Sequence, residues 1–189
     1  MTTATLSTPA ATSLWTIDAS HSQVEFAVKH MMISTVKGRI PAMEGKLALN
    51  EHDLASSSVG VEFDVASIDT RTAMRDDHLR SADFFDAAQF PTITFQSTGI
   101  GATSLDDGAE FEVTGELTIR DVTRPVTLDV TVGGRGRDPY GNDRIAFTAT
   151  TKIDRRDFGL NYNAALETGG VVVGHDVKIT IEVEAIKTV

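Results

Sequence analysis

Apolar residues at every second position dominate the chain from Ser22 onward, and that spacing is the period of a β-strand with one buried face. Val24, Phe26 and Val28 alternate with more polar neighbours, as do Val61, Phe63 and Val65, then Ile93, Phe95 and Ser97. The pattern continues through Phe111, Val113, Gly115, Leu117 and Ile119, through Val126, Leu128, Val130 and Val132, and through Ile145, Phe147 and Ala149. It closes at Val177, Ile179, Ile181 and Val183. Val36 to Leu49 reads as one long strand broken around Pro41, which has no N–H to give to a ladder. These make eight main strands, with a further short one over Leu14–Asp18.

Two connections are too long for hairpins. Residues 68–91 hold the one convincing helix, Thr72–Arg80, followed by Phe84, Phe85 and Phe90. Residues 154–174 interleave Phe158, Tyr162, Leu166 and Val171–Val173 with Gly and Asn, and long ordered loops of this kind serve as lids or binding loops. Residues 1–13 are read as a flexible tail and 14–189 as a single domain, because no linker, repeat or second pattern divides them. The fold class is all-β. Eight antiparallel strands can form a sandwich or close into a barrel, and periodicity does not choose. Closure is preferred because it removes exposed edges and leaves an interior that can hold one small ligand.

Charge and composition exclude several functions. With 17 Lys+Arg against 27 Asp+Glu the net charge is -10, which repels nucleic acid and offers no general attraction to an anionic lipid surface. There is no cysteine, so disulfides, thiolate metal sites and cysteine nucleophiles are absent. The first basic residue is Lys29, and no more than three hydrophobic residues stand in a row. The expectation is a soluble, cytoplasmic protein with no secretory leader and no membrane span.

No P-loop, nucleophile elbow, zinc-protease motif or dinucleotide fingerprint is present. The five histidines, His21, His30, His52, His78 and His175, never pair at chelating spacing, so neither metal nor cofactor is expected. His21, in Asp18-x-x-His21-Ser22, reads as a turn and capping device at a strand entrance. Basic side chains near the long loops could meet a polar head: His78 and Arg80 in the first, Arg155 at the start of the second, and His30 at the end of its strand. The competing reading pairs the arginines with their aspartate neighbours on a lid surface. Phe84, Phe85, Phe90 and Phe95 would pack under that lid or seal one end of the interior.

Seven segments together resemble the YceI-like family. They are Asp18 to Ser22, Val24 to His30, Ser34 to Gly38, Arg75 to Asp86, Phe90-Pro91, Gly115 to Ile119 and Ile153 to Gly159. His175 is a small departure, standing where a small or acidic residue is more usual. The resemblance implies an eight-stranded lipocalin-like barrel whose interior binds a polyisoprenoid or other long-chain lipid without catalysis. On that reading Phe26, Val28, Val61, Phe63, Phe95, Leu117, Ile119, Leu128, Val130, Phe147, Ile179 and Ile181 line an apolar tunnel, with room left by Ser97, Gly115 and Ala149. His30, His78, Arg80 and Arg155 are then the head-group candidates. A homodimer is a modest expectation for a domain of this size. The competing function is a dimeric structural or stress-response module with an incidental cavity.

Overall fold

The computed structural model describes residues 12–165 and 170–188. Most of the expected N-terminal tail, and Leu166 of the second long connection, lie outside the described residues. Ten strands follow one another: β1 (Ser13–Ile17), β2 (Gln23–His30), β3 (Ser34–Arg39), β4 (Met43–Leu49), β5 (Ser58–Asp64), β6 (Thr92–Ile100), β7 (Glu110–Ile119), β8 (Val122–Arg137), β9 (Asp143–Asp154) and β10 (Val173–Lys187). One α-helix, α1 (Ala73–Arg80), starts one residue after Thr72, where the sequence placed it.

The ten segments fill only eight positions of a closed antiparallel barrel. β5 to β10 pair in chain order, each with the next. The far edge of β10 takes two partners in turn: β1 through Trp15↔Lys187 to Ile17↔Ala185, then β2 through Gln23↔Glu182 to Val28↔Val177. Between them the chain makes a single turn, Ala19–His21, in which the Asp18 carboxylate accepts from the Ser20 amide at 3.0 Å. His21 Nδ1 lies 2.8 Å from the same carboxylate, which agrees with its reading as a turn device. β3 then pairs with β2, and β4 pairs with β1 on one side and β5 on the other, closing the ring. The break expected around Pro41 separates β3 from β4, and the Ile40 amide bonds the Val24 carbonyl at 3.1 Å across it.

The barrel has two dissimilar ends. The lower end carries the β4–β5, β6–β7 and β8–β9 turns, the start of β1 and the end of β10. The β8–β9 turn is Asp138-Pro139-Tyr140-Gly141, closed by the Gly141 amide on the Asp138 carbonyl at 3.0 Å. Gly133 to Arg137 continue β8 up to this turn, past a bulge between Val132 and Gly134. The upper end carries the β2–β3 tip, the segment 65–91 with α1, and residues 155–165 and 170–172. Here the wall has a notch, because β5 stops at Asp64 while β3 still needs a neighbour. Segment 65–91 fills it through an isolated Arg39↔Asp69 bridge and a Val65 amide bond to the Pro91 carbonyl at 2.9 Å.

Two inward rings need glycine opposite them. A Cβ on Gly115 would stand 2.4 Å from Phe95 Cζ, and one on Gly38 only 2.3 Å from Phe26 Cζ. Each phenyl lies flat over a neighbouring strand because that strand carries no side chain there. Gly115 therefore leaves no free room inside, contrary to the sequence expectation. Ser97 also turns its hydroxyl to the sheet, accepting from the Val59 amide at 2.9 Å.

Candidate functional site

The apolar faces enclose a cavity of about 270 Å³, just below the usual range for small-molecule sites. All twelve apolar residues expected inside line it, and so does Ala149. Its surroundings are uneven. Phe63, Phe95, Val113, Leu117 and Ile119 are buried, whereas Phe26, Leu128, Phe147, Ile179 and Ile181 are only half-buried although they point inward. Most of the half-buried lining therefore stands on β8, β9, β10 and β2, with Val59, Val61, Ile100 and Phe111 adding half-buried positions on β5 to β7.

Leu79, Phe84 and Phe85 line the upper end from the notch segment, facing Leu160 and Val173. Phe90 does not join them; it lies under the Arg120 guanidinium, 5.5 Å from its ring centre. Leu54, Ala102 and Leu105 contribute from the lower turns, which the sequence reading missed. The available signal was a leucine within each otherwise polar turn, Leu54 in one and Leu105 in the other.

Among the described residues the polar members of the lining are Ser57, Ser58, Thr151 and Arg155. Thr151 donates to the Thr127 carbonyl at 2.7 Å, and Ser57 Oγ accepts from the Asn50 amide at 3.0 Å. Among the described residues no two titratable side chains converge on the space, so this lining offers no acid/base pair. Arg155 is the exception to the apolar rule. It is 4% exposed, and a short turn at the end of β9 directs it inward. Its Nε donates to the Gly174 carbonyl at 2.8 Å, and its terminal nitrogens to the carbonyls of Leu160 and Val173. Burial pushes its pKa down from the ordinary value, while Asp154 partly offsets that. Three of its five N–H groups are thereby used among the described residues, none of which gives it a carboxylate bond.

The four head-group candidates are not brought together. Arg80 is spent on the protein itself, bonding the Ala66 and Ile68 carbonyls at 2.9 and 2.8 Å and Asp77 at 3.0 Å. His78 bonds Asp83 at 2.9 Å and stands edge-on between Phe84 and Tyr162. His30 pairs with Ser34 and Val173 at the top of β2. None of these three lines the cavity; Arg155 alone does. Lid aspartates explain the rest: Asp76 accepts from the Thr70 amide at 2.8 Å, and Asp86 from Gln89 at 2.9 Å.

A second polar cluster sits outside the barrel at its lower end. Arg144 reaches Asp138 at 2.8 Å, Asp18 at 2.9 Å, and Glu184. Asp18, His21 and Glu184 are close enough to suggest a metal site. The Arg144 guanidinium is already the cation of that cluster. Bonds from Ser20 and His21, with Arg144, hold Asp18 well below the carboxylate range, and bonds from Asn142, with Arg144, do the same for Asp138. Asp18, Glu184 and the Asp138–Arg144 hairpin come from distant parts of the sequence, so no local pattern announces the cluster.

The sequence matches the model of the YceI-like domain family over residues 15–185. The chain belongs to the YceI-like family. A UPF0312 protein of Staphylococcus aureus is 34% identical over 171 residues, covering 90% of this chain and 95% of that one. A UPF0312 protein of Vibrio cholerae is 37% identical over 147 residues, covering 77% and 76%. Among solved structures, Burkholderia cenocepacia BcnA superposes with a TM-score of 0.75 at 27% identity, over 89% of this chain and 98% of that one. A polyisoprenoid-binding domain from Saccharophagus degradans superposes at 0.71 with 15% identity, covering 92% and 98%, which shows a shared fold. The YceI-like barrel expected from the sequence is thus the fold observed. No helix among the described residues is long and apolar enough to cross a membrane.

Proposed function

We propose that this YceI-like protein binds and carries a long-chain amphiphile, an isoprenoid or a chemically similar lipid, inside the barrel and releases it unchanged. The observation that carries the reading is a cavity walled mainly by apolar side chains, with Arg155 the single charged residue of the lining among the described residues. Burial of each five-carbon unit would contribute on the order of 2–3 kcal/mol after loss of chain freedom. Several units would give tight binding with little polar specificity. The polyisoprenoid-binding description of the Saccharophagus degradans domain supports the same ligand class through the shared fold. Arg155 is the anchor proposed for the head: its unused N–H groups suit an oxygen acceptor, charged or neutral. His30, His78 and Arg80 act at most at the rim.

Organic extraction of the purified protein followed by mass spectrometry tests the proposal. A stoichiometric long-chain lipid, recovered chemically intact after incubation, is the expected result. An empty protein that also fails to take up an offered polyprenyl compound refutes the carrier function. An altered product lost in a His21 or His78 variant refutes the non-catalytic part.

A further inference from the structure

The β2–β3 tip breaks the local rules of its own turn. His30 to Ile33 form a tight turn closed by the Ile33 amide on the His30 carbonyl at 3.1 Å. Its two central residues, Met31 and Met32, have φ of 51° and 63°. Such hairpin turns favour Asn and Gly, which accept positive φ with least strain. This chain places two methionines there and follows them with isoleucine. The three side chains are not buried in compensation: Met32 is 60% exposed and Ile33 80%. The Met31 amide is tied to the Val172 carbonyl at 2.8 Å, which fixes the tip to the upper rim of the barrel.

The rest of that end follows the same bias. Of the seven large hydrophobic residues exposed among the described residues, Met31, Met32, Ile33, Met74 and Tyr162 belong to upper-end segments; only Leu14 and Tyr140 belong to the lower end. Charge reverses along the β2–β3 ribbon itself, although the neighbouring segment 65–91 carries five aspartates. From Phe26 to Met43 there is no acidic residue, in a chain whose net charge is -10, while Lys29, Lys37 and Arg39 all fall within the segment. Arg39 is paired with Asp69, whereas Lys29 and Lys37 are exposed and have no ion-pair partner among the described residues.

We infer that the β2–β3 tip is a membrane-surface contact, with Met32 and Ile33 entering the interfacial zone of a phospholipid bilayer and Lys29 and Lys37 facing its phosphates. Apolar side chains flanked by lysines are the composition that binds such a surface without spanning it. The tip borders the end at which α1 and Arg155 meet the cavity, so docking there sets the barrel's upper end against the lipid phase. This goes beyond the carrier reading and depends on it only for its purpose. The contact itself is measured on vesicles that contain no isoprenoid, so either reading can fail alone.

The experiment is flotation of the full chain with vesicles of phosphatidylethanolamine and phosphatidylglycerol. It compares wild type, the double variant Met32→Ser with Ile33→Ser, and the double variant Lys29→Gln with Lys37→Gln. Wild type is expected to float with the vesicles. The tip variant is expected to lose about tenfold or more in partitioning, since two side chains no longer leave water. The lysine variant is expected to bind more weakly and with less dependence on salt. Both should melt as wild type does, because the altered side chains are solvent-exposed. Wild type that stays with the buffer overturns the inference, and so does a tip variant that floats equally well. Light scattering that shows the tip variant dissociating a dimer, with no flotation of wild type, overturns it in favour of a second copy of the chain as the occupant.

Discussion

Replacing Leu128 by tryptophan separates a cavity built for a ligand from a core that is merely loose. Leu128 lines the cavity from β8, opposite Val113 of β7, and remains half-buried although it points inward. The indole adds roughly six heavy atoms, about the size of one isoprene unit, and would extend into space that no side chain fills. Overpacking a filled core costs about 1–3 kcal/mol. Entering free space should cost under about 1 kcal/mol, a Tm shift within about 4 °C for a domain of this size. Displacing one five-carbon unit from the wall should remove about 2–3 kcal/mol of affinity, or roughly 30- to 150-fold in Kd. The assay pairs a thermal melt with displacement of a fluorescent long-chain probe, on wild type and Leu128→Trp. A melt lowered by more than about 8 °C with probe affinity unchanged would refute the reasoning, because the space would then be packing slack and not a binding site.

Gly115→Ala places a Cβ where Phe95 already lies and should cost about 1–3 kcal/mol in urea unfolding; an unchanged midpoint would show that the ring can swing away. Asp18 and Asp138 titrate below their ordinary 3.8 in the folded barrel, so their stabilisation is complete above that value and drains away as pH falls beneath it. The melting temperature should be flat from about pH 8 to 5 and drop below about pH 4, and Arg144→Met should melt lower at neutral pH with a shallower acid limb. An identical acid limb in the variant would count against the cluster. Arg80→Ala frees the Ala66 and Ile68 carbonyls, so hydrogen exchange should quicken across 65–80 while β7 to β9 keep their protection, and lipid loading should weaken without vanishing. Loss of loading as complete as in Leu128→Trp would restore Arg80 as a direct ligand contact. Because each strand pairs around one ring, limited proteolysis should release no independently stable half; two such halves would contradict a single domain.

Period-two patterning carries which residues face inward, and so the lining could be read from Val24, Phe63 or Ile179 before any pairing was known. It does not carry who pairs with whom. That β1 and β2 share one edge of β10, or that segment 65–91 replaces a strand above β5, depends on contacts between residues far apart in the chain. Head-group candidates were harder still, since Arg80 and Arg155 look alike in sequence, each an arginine near aspartates beside a long loop. Only the direction of a short turn sends Arg155 into the cavity and leaves Arg80 stapling the lid to the backbone. The methionine tip escaped notice for a different reason. Net charge over the whole chain hides an acid-free stretch of eighteen residues, 26–43.

The two interruptions, at Ala19–His21 and at Ile40–Ala42, lie side by side and form one crease across the wall. An extra residue inserted in β8 or β9 would turn every later side chain of that strand inside out, because register has a period of two. At the crease the ladder is already broken, so a change of length is absorbed there and neither half slips. In evolution or in engineering, this is where loops can be lengthened and the β2–β3 ribbon re-angled while the interior keeps its faces.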